Sequence, residues 1–193
     1  MNDKTATPHV VYEGRYLRML VRGAWEYVER THAGGLAAII VAVTPEDKVV
    51  FVEQFRVPLQ APTIEMPAGL VGDVHDGESI ELSAIRELEE ETGWTADGAE
   101  VLLVGPTSSG MSNERIAFVR ATGLRKVGEG GGAPDEGEDI TVHEIPRSEA
   151  AAWLTRKLAE GYELDAKLWA GLWLIEHNLD GSRREAGDGM NHD

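Results

Sequence analysis

The sequence predicts an α+β fold, in which a few helices pack on a mixed β-sheet. Strand-like segments stand before, between and after the helical ones along the 193 residues. Residues 36–44 form a nearly continuous apolar run, which is typical of a strand that is buried on both faces. Residues 164–178 instead carry an amphipathic helical pattern. A chain of this length is most simply one domain with a substantial core.

Turn residues and apolar spacing predict each element in order. Strands are predicted at residues 10–12, 16–21, 25–30, 36–44, 48–55, 100–104, 115–121 and 140–145. Helices are predicted to end at Gly93 and to span residues 146–158 and 164–178. Residues 1–35 are then a β-hairpin extension, 36–178 the main domain and 179–193 a disordered tail. The Gly-rich, acidic segment 128–138 is predicted to be a mobile loop.

Composition narrows the class of partner. The formal net charge of −16 argues against nucleic acid or an anionic membrane surface as the main partner. It also means that an anionic substrate would have to meet positive charge locally. The chain has no cysteine, which excludes disulfides and thiolate zinc sites. No apolar run approaches about 18 residues and no signal pattern opens the chain, so a cytoplasmic location is expected.

The most informative segment is the helix that ends at Gly93. Its apolar stripe repeats every four residues, at Ile80, Ala84 and Leu88. At about 100° per residue, Glu87 and Glu91 fall on the side of this stripe, and Glu90 lies beside them. Carboxylates that are partly shielded from water need a cation, and their oxygens suit Mg²⁺ or Mn²⁺. Arg86 is spaced to pair with Glu90. A solvated acidic helix is the alternative interpretation.

At these residues the sequence resembles the Nudix hydrolase family. The family signature is a glycine, five residues, a glutamate, seven residues, and then Arg-Glu-aliphatic-any-Glu-Glu-any-Gly-apolar. The matching positions are Glu78, Arg86, Glu87, Leu88, Glu90, Glu91, Gly93 and Trp94. The motif glycine is either Gly72, at the formal spacing, or Gly69, with three extra residues in the loop. The resemblance covers roughly residues 36–178 and implies the α/β/α sandwich of that family.

The resemblance also implies a chemistry and a set of roles. Nudix hydrolases cleave diphosphates with divalent cations, and Mg²⁺ is the expected ion here, with Mn²⁺ as a substitute. The metal ligands would be Glu87, Glu91, Glu90 and the carbonyl oxygen of Ala68. Arg86 would orient the carboxylates, and Glu78 would tie the loop to the helix. The general base would come from the late loop, at Glu136 or, as the next candidate, Glu138.

Four further segments resemble the branch that acts on ADP-ribose and nucleoside diphosphate sugars. They are residues 52–56, 64–69, 113–114 and 135–142. Substrate contacts are expected from Arg56, Glu65 and Glu114. In this branch the N-terminal strands often exchange across a homodimer and place an aromatic residue against the adenine. Trp25 and Tyr27 are the candidates, with core packing favoured for Trp25 and the role of Tyr27 open.

The predicted function is therefore Mg²⁺-dependent hydrolysis of ADP-ribose or a related nucleoside diphosphate sugar to a nucleoside monophosphate and a sugar phosphate. Ser109 stands where ADP-ribose hydrolases of this branch carry proline, which leaves the identity of the sugar open. Three alternatives are kept: hydrolysis of nucleoside triphosphates or dinucleoside polyphosphates, a nucleotide-sugar sensor without turnover, and a passive acidic interaction protein. No nucleic-acid or membrane partner is expected.

Overall fold

Two four-stranded sheets and three helices form the body of the molecule, with a three-stranded sheet before them. The computed structural model describes residues 5–31, 33–72, 77–132 and 138–184. The strands are β1 (His9–Glu13), β2 (Leu17–Arg22), β3 (Trp25–Arg30), β4 (Leu36–Val41), β5 (Lys48–Arg56), β6 (Ala61–Glu65), β7 (Ala68–Leu70), β8 (Trp94–Thr95), β9 (Gly98–Pro106), β10 (Arg115–Thr122), β11 (Arg125–Lys126), β12 (Thr141–Pro146) and β13 (Glu163–Leu164). The helices are α1 (Ile80–Thr92), α2 (Ala150–Ala159) and α3 (Lys167–Glu176). The α+β prediction is confirmed.

Both main sheets are mixed. The first has the order β7-β4-β10-β9, in which β10 runs parallel to β4 and antiparallel to β9. The second has the order β12-β5-β6-β13, in which only the β6–β13 pair is parallel. A further short pair, β8 with β11, follows α1. Because β13 pairs with β6, the last helix begins at Lys167 and not at residue 164 as predicted.

Strand β4 separates two hydrophobic clusters, as its continuous apolar sequence predicted. Residues of alternating parity point to opposite faces of a strand. Ala38 and Ile40 pack with Ala84 and Leu88 of α1. On the other face, the cluster that includes residues of α2 and α3 contains Ile39, Val41, Leu154, Leu168 and Leu174. Leu88 is fully buried, which contributes about 2 kcal/mol to holding α1 on the sheet.

Both ends of α1 are capped by side chain or backbone. The hydroxyl of Ser79 accepts a hydrogen bond from the N–H of Leu82 at 3.3 Å, which satisfies one of the free donors of the first turn. Gly93 adopts a left-handed conformation with φ of 70° and donates its N–H to the carbonyl of Glu89. The predicted helix end at Gly93 is confirmed.

The N-terminal sheet has three strands in the order β1-β2-β3, close to the positions predicted at residues 10–12, 16–21 and 25–30. Of the residues in these strands only Leu20 is buried. Trp25 is 56% exposed, so the prediction that it packs in the core is wrong for this chain by itself. The reason is that no element of the main domain covers that end of β3 within the described chain. The backbone N–H of Val28 bonds to the carbonyl of Met111 at 2.9 Å and ties β3 to the main domain.

Two segments predicted to be loose are anchored in part. Residues 128–132 make backbone hydrogen bonds to the end of α1, although the whole segment 128–138 was predicted to be mobile. After α3, the carbonyl of Glu176 accepts from the N–H of Arg184, so the tail starts with a turn that folds back. In the described chain, no helix is long and apolar enough to cross a membrane.

Candidate active site

A cleft of about 340 Å³ opens where strands β4 and β7 meet α1. Acidic and basic side chains dominate its polar lining. The charged residues that line it are Arg30, Arg56, Glu65, Glu87, Glu114, Glu138 and Lys167. Its floor includes the backbone of Ala68, Gly69 and Leu70. The cleft thus brings together residues that are widely separated along the chain.

Glu91 is the most deeply buried carboxylate of α1, with only 4% of its surface exposed. One carboxylate oxygen accepts a hydrogen bond from the N–H of Ala68 at 3.0 Å. The pKa of Glu91 is raised to about 8, chiefly by burial and also by the neighbouring charges of Glu87, Glu138 and Glu65, against the lowering effect of the Ala68 N–H. The angular prediction that Glu91 points inward is confirmed.

Glu87 lies directly against Gly69 of β7. A Cβ atom placed on Gly69 would overlap Cγ, Cδ and Oε1 of the Glu87 side chain. A Cβ atom on Gly72 would meet none of the described residues within 4 Å, but Gly72 has φ of 79°. The two candidate motif glycines therefore do different things: Gly69 makes room for a carboxylate, and Gly72 permits a left-handed turn.

Arg86 is the common partner of three carboxylates. Its Nη2 lies 3.0 Å from Glu87 and 3.5 Å from Glu78, and its Nη1 lies 3.0 Å from Glu90. The predicted pairing of Arg86 with Glu90 is present. The Glu90 side chain is 56% exposed, so it lies at the rim while Glu87 and Glu91 lie inside. Glu78, at the end of the loop, is held to the helix by Arg86.

The acidic cluster has the character of a divalent-cation site. Within the described ranges, no three acidic or histidine side chains already stand together as a complete ligand set. The donors nevertheless fit: Glu91 is withdrawn from water, and three surrounding carboxylates oppose its ionisation. Oxygen ligands of this kind suit Mg²⁺ or Mn²⁺, and a bound cation would favour the ionised form of Glu91. The backbone of Ala68 lies close to the acidic cluster, because its N–H already donates a hydrogen bond to Glu91.

Arg56 and Glu65, which also line the cleft, form a bidentate ion pair. Arg56 Nε lies 2.6 Å from Oε1 of Glu65, and Nη2 lies 2.7 Å from Oε2. Glu65 is only 7% exposed, whereas Arg56 reaches the cleft. The hydrogen bond to Glu65 raises the pKa of Arg56. Glu65, predicted to contact substrate, holds the guanidinium of Arg56 in place.

Arg30 and Glu114 form a second ion pair in the cleft, which the sequence did not predict. Their side chains are 2.7 Å apart, and Thr107 donates its hydroxyl to the other oxygen of Glu114 at 3.4 Å. The ion pair follows from a parallel bridge between Val28 of β3 and Ser112. This bridge places Arg30, two residues after Val28, beside Glu114, two residues after Ser112. Such an alignment is invisible in local sequence patterns.

The remaining predicted residues are distributed unevenly. Glu138 lines the cleft, whereas Glu136 lies outside the described residues. Trp25 and Tyr27 are not among the described residues that line the cleft. Lys167, at the start of α3, was missed by sequence reasoning but lines the cleft, with its Nζ 2.5 Å from Asp165. Only the β6–β13 pairing brings it there, and the sequence carries no local signal for that pairing.

Comparison with known proteins gives consistent matches. The family model of the NUDIX domain matches residues 34–167. An ADP-ribose pyrophosphatase of Bacillus subtilis is 39% identical over 177 residues, which cover 86% of this chain and 89% of that protein. A methanol dehydrogenase activator of Bacillus methanolicus is 34% identical over 161 residues, covering 80% and 84%. An ADP-sugar pyrophosphatase of Mus musculus is 34% identical over 170 residues, covering 79% and 74%.

A solved structure shares the fold. The crystal structure of an ADP compounds hydrolase superposes with a TM-score of 0.66 and covers 88% of this chain and 89% of that one. Sequence identity is 20%, so this likeness concerns the fold alone.

Proposed function

The chain belongs to the Nudix family, and from that premise we propose that it hydrolyses the diphosphate of ADP-ribose or a related nucleoside diphosphate sugar. The products would be a nucleoside monophosphate and a sugar phosphate. One observation carries the proposal: Glu87 lines the same cleft as Arg56 and Arg30, and the buried Glu91 lies one helical turn further on and contacts Ala68 of the cleft lining. Two relatives are pyrophosphatases of ADP-ribose and ADP-sugars.

Glu87 and Glu91 would hold the metal, with Glu90 and the carbonyl of Ala68 as further ligands and Mg²⁺ as the ion. When bound, a divalent cation neutralises phosphate oxygens and lowers the pKa of a bound water. The chain's own residues supply the rest of the arrangement. Arg86 orients Glu87 and Glu90 through its ion pairs. The N–H of Ala68 directs one oxygen of Glu91 and leaves the second oxygen of that carboxylate for the ion.

Arg56 and Arg30 would bind the anionic substrate. The planar fork of Arg56 is fixed by its bidentate pair with Glu65, so little side-chain entropy remains to be lost on binding. Arg30 is held through a single contact of its Nε with Glu114, which would lie near the terminal ribose. An acid of the late segment, Glu136 or Glu138, would accept the proton of the attacking water. Of the two, Glu138 is the one whose position in the cleft supports the role.

A substrate panel tests this proposal. The metal-stripped enzyme would receive fixed Mg²⁺ and, in separate reactions, ADP-ribose, another ADP-sugar, UDP-glucose, ATP and a dinucleoside tetraphosphate. We expect a nucleoside monophosphate and a sugar phosphate from at least one diphosphate sugar. A preference for ATP or the tetraphosphate over every diphosphate sugar would refute the substrate class. A sensor would bind ADP-ribose without producing either product.

A matched pair of variants tests the metal role. Glu91→Gln removes a buried carboxyl group beside the cleft, and Glu89→Gln removes a carboxylate from an exposed position on the same helix. We expect Glu91→Gln to lower kcat by about a hundredfold or more and to weaken Mg²⁺ binding. Glu89→Gln should retain both. Equal rates for the two variants would remove the role assigned to Glu91.

We further propose that the chain is a homodimer joined through β1–β3 and that it works in the cytoplasm. The exposed apolar side chains of this sheet support the first point, among them Val11, Tyr12 and Trp25. A partner chain covering them would restore the apolar packing that the main domain does not provide. It would also bring an aromatic residue, Trp25 or Tyr27, to a position that this chain alone does not occupy. Light scattering at micromolar concentration would detect a monomer and thereby reject the dimer.

A further inference from the structure

The C-terminal turn of α1 is capped by a distant part of the chain. A helix leaves its last four carbonyl groups without partners inside the helix. The carbonyl of Glu89 is satisfied locally by Gly93, but the following ones are satisfied by residues 126–132. The pairs are Glu90 O with Gly132 N at 3.2 Å, Glu91 O with Gly131 N at 2.8 Å, Thr92 O with Lys126 Nζ at 3.0 Å, and Gly93 O with Val127 N at 2.8 Å and Gly128 N at 3.1 Å.

Residues 130–132 are here called the glycine strap, and the first of them, Gly130, approaches α1 too closely for any side chain. A Cβ atom on Gly130 would lie 2.6 Å from the carbonyl oxygen of Glu91. That neighbour is backbone and has no rotamer by which to move away. All three glycines of the strap also have positive φ, at 73°, 114° and 72°. Gly128, which precedes the strap, differs on both counts: its φ is not positive, and a Cβ there would meet its nearest atom at 3.9 Å.

The strap also receives the chain where it returns to the cleft. The N–H of Ile140 bonds to the carbonyl of Gly131 at 3.2 Å, and Ile140 is buried. A Cβ on Gly132 would lie 3.2 Å from the Cβ of Glu138. Glu138 lines the same cleft as Glu87. Gly131 therefore contacts Glu91 through its N–H and the returning chain through its carbonyl.

We propose that the glycine strap is a positioning element that fixes Glu138 relative to Glu87 and Glu91. The strap joins the carbonyls of the helix turn that carries the acidic cluster to Ile140, two residues after Glu138. Backbone hydrogen bonds thereby fix the chain that carries Glu138 relative to the helix that carries Glu87 and Glu91. This inference rests on the proposed function, because it assigns Glu138 to the same reaction as the proton acceptor.

Gly130→Ala and Gly128→Ala test the proposal as a matched pair. Gly130→Ala forces the strap away from α1, and a displacement of about 1 Å at a reacting group costs on the order of a hundredfold in rate. We expect kcat to fall about tenfold to a hundredfold, with KM for the nucleotide sugar changed less than about twofold. Gly128→Ala should leave both constants at the wild-type values. Equal kcat for the two variants would overturn the proposal.

A double-mutant cycle separates positioning of Glu138 from a general loss of structure. If the strap acts through Glu138, Gly130→Ala should cost little in a chain that already carries Glu138→Gln. If Gly130→Ala lowers kcat by the same factor in both backgrounds, or if Glu138→Gln alone is silent, the strap does not act through Glu138. Should Gly130→Ala fail to fold, Gly131→Ala replaces it in the cycle, because a φ of 114° strains an alanine there although its added Cβ meets nothing closer than the carbonyl of Ile140 at 3.9 Å among the described residues.

Hydrogen exchange tests the strap without any turnover. The amide hydrogens of Gly131 and Gly132 should exchange slowly in the wild-type protein and in Gly128→Ala. In Gly130→Ala they should exchange about tenfold faster or more. Failure of the substrate panel would reject the proposed function and leave this measurement valid. Fast exchange at both amides in the wild type would reject the strap, whatever the enzyme hydrolyses.

Discussion

Replacing Gly69 by alanine should lower the rate strongly, whereas replacing Gly72 by alanine should lower the stability and leave the rate nearly unchanged. The reason is that the two glycines serve different physical needs. Gly69 lies in β7, where it pairs with Ala38 of β4. Its φ is not positive, so its backbone tolerates alanine. The space does not, since the new Cβ would overlap the Glu87 carboxyl group. No described residue would obstruct a Cβ atom on Gly72, but its φ of 79° costs an alanine about 1–2 kcal/mol.

The expected magnitudes differ accordingly. To restore an ordinary contact, the Glu87 carboxylate must move by more than about 1 Å, and a misplacement of that size costs on the order of a hundredfold in rate. Gly69→Ala should also cost some stability, because the Arg86–Glu87 ion pair that it displaces is largely buried, with side chains 18% and 12% exposed. Gly72→Ala should instead lower the free energy of unfolding by about 1–2 kcal/mol and leave kcat within about twofold of wild type.

Steady-state kinetics with ADP-ribose and urea unfolding of both variants check this expectation. The mechanism assigned to Gly69 has a stricter test in the variant Glu87→Gln. Gly69→Ala should lower kcat strongly in the wild-type background and weakly in the Glu87→Gln background, since both changes remove the same carboxylate from its place. A wild-type rate for Gly69→Ala, or an inactive but stable Gly72→Ala, would refute the reasoning and make Gly72 the glycine that the site requires.

Two further predictions concern charge. Because burial raises the pKa of Glu91 from 4.5 to about 8, the folded metal-free protein keeps a proton that the unfolded chain loses between these values. Its free energy of unfolding should therefore fall as pH rises from about 5 to about 8, by up to about 1.4 kcal/mol per pH unit. Urea unfolding in EDTA should show this slope in the wild type but not in Glu91→Gln, and parallel curves would contradict the assigned burial. Arg56→Lys should raise KM for ADP-ribose about tenfold, because lysine cannot form the bidentate pair with Glu65. The control Arg125→Lys changes an exposed pair and should leave KM unchanged, so equal KM values would show that the fork of Arg56 is not needed.

The acidic helix was predictable because its determinants are local. The spacing of Ile80, Ala84 and Leu88 defines a face within one element, and the same geometry places Glu87 and Glu91 on that side. The end of the helix at Gly93 also depends only on neighbouring residues. The structure adds what no local pattern contains: the shielding of Glu91 comes from β7, a separate strand, and from the N–H of Ala68.

The basic residues that line the cleft were only partly predictable, because long-range strand pairing brings them together. Arg56 was found through its family resemblance, but its partner Glu65 was assigned to the substrate and not to Arg56. Arg30 reaches Glu114 only because β3 docks beside residue 112, and Lys167 reaches the cleft only because β13 pairs with β6. The prediction that Trp25 packs in the core failed for a related reason. Alternation along a strand predicts on which face a side chain lies, but not which element covers that face.

The pairing of basic residues also bears on how an acidic protein binds an anionic substrate. The chain carries a formal net charge of −16, and each basic side chain that lines the cleft has an acidic partner: Arg30 with Glu114, Arg56 with Glu65 and Lys167 with Asp165. These pairs present hydrogen-bond donors in fixed directions while adding little net positive charge, which favours recognition of shape and orientation over simple attraction. On the proposed metal site, the charge that offsets a diphosphate would then come chiefly from the cations that Glu87 and Glu91 would hold. Substrate binding and metal binding should accordingly be coupled, with the acidic cluster supplying affinity and the paired arginines supplying specificity.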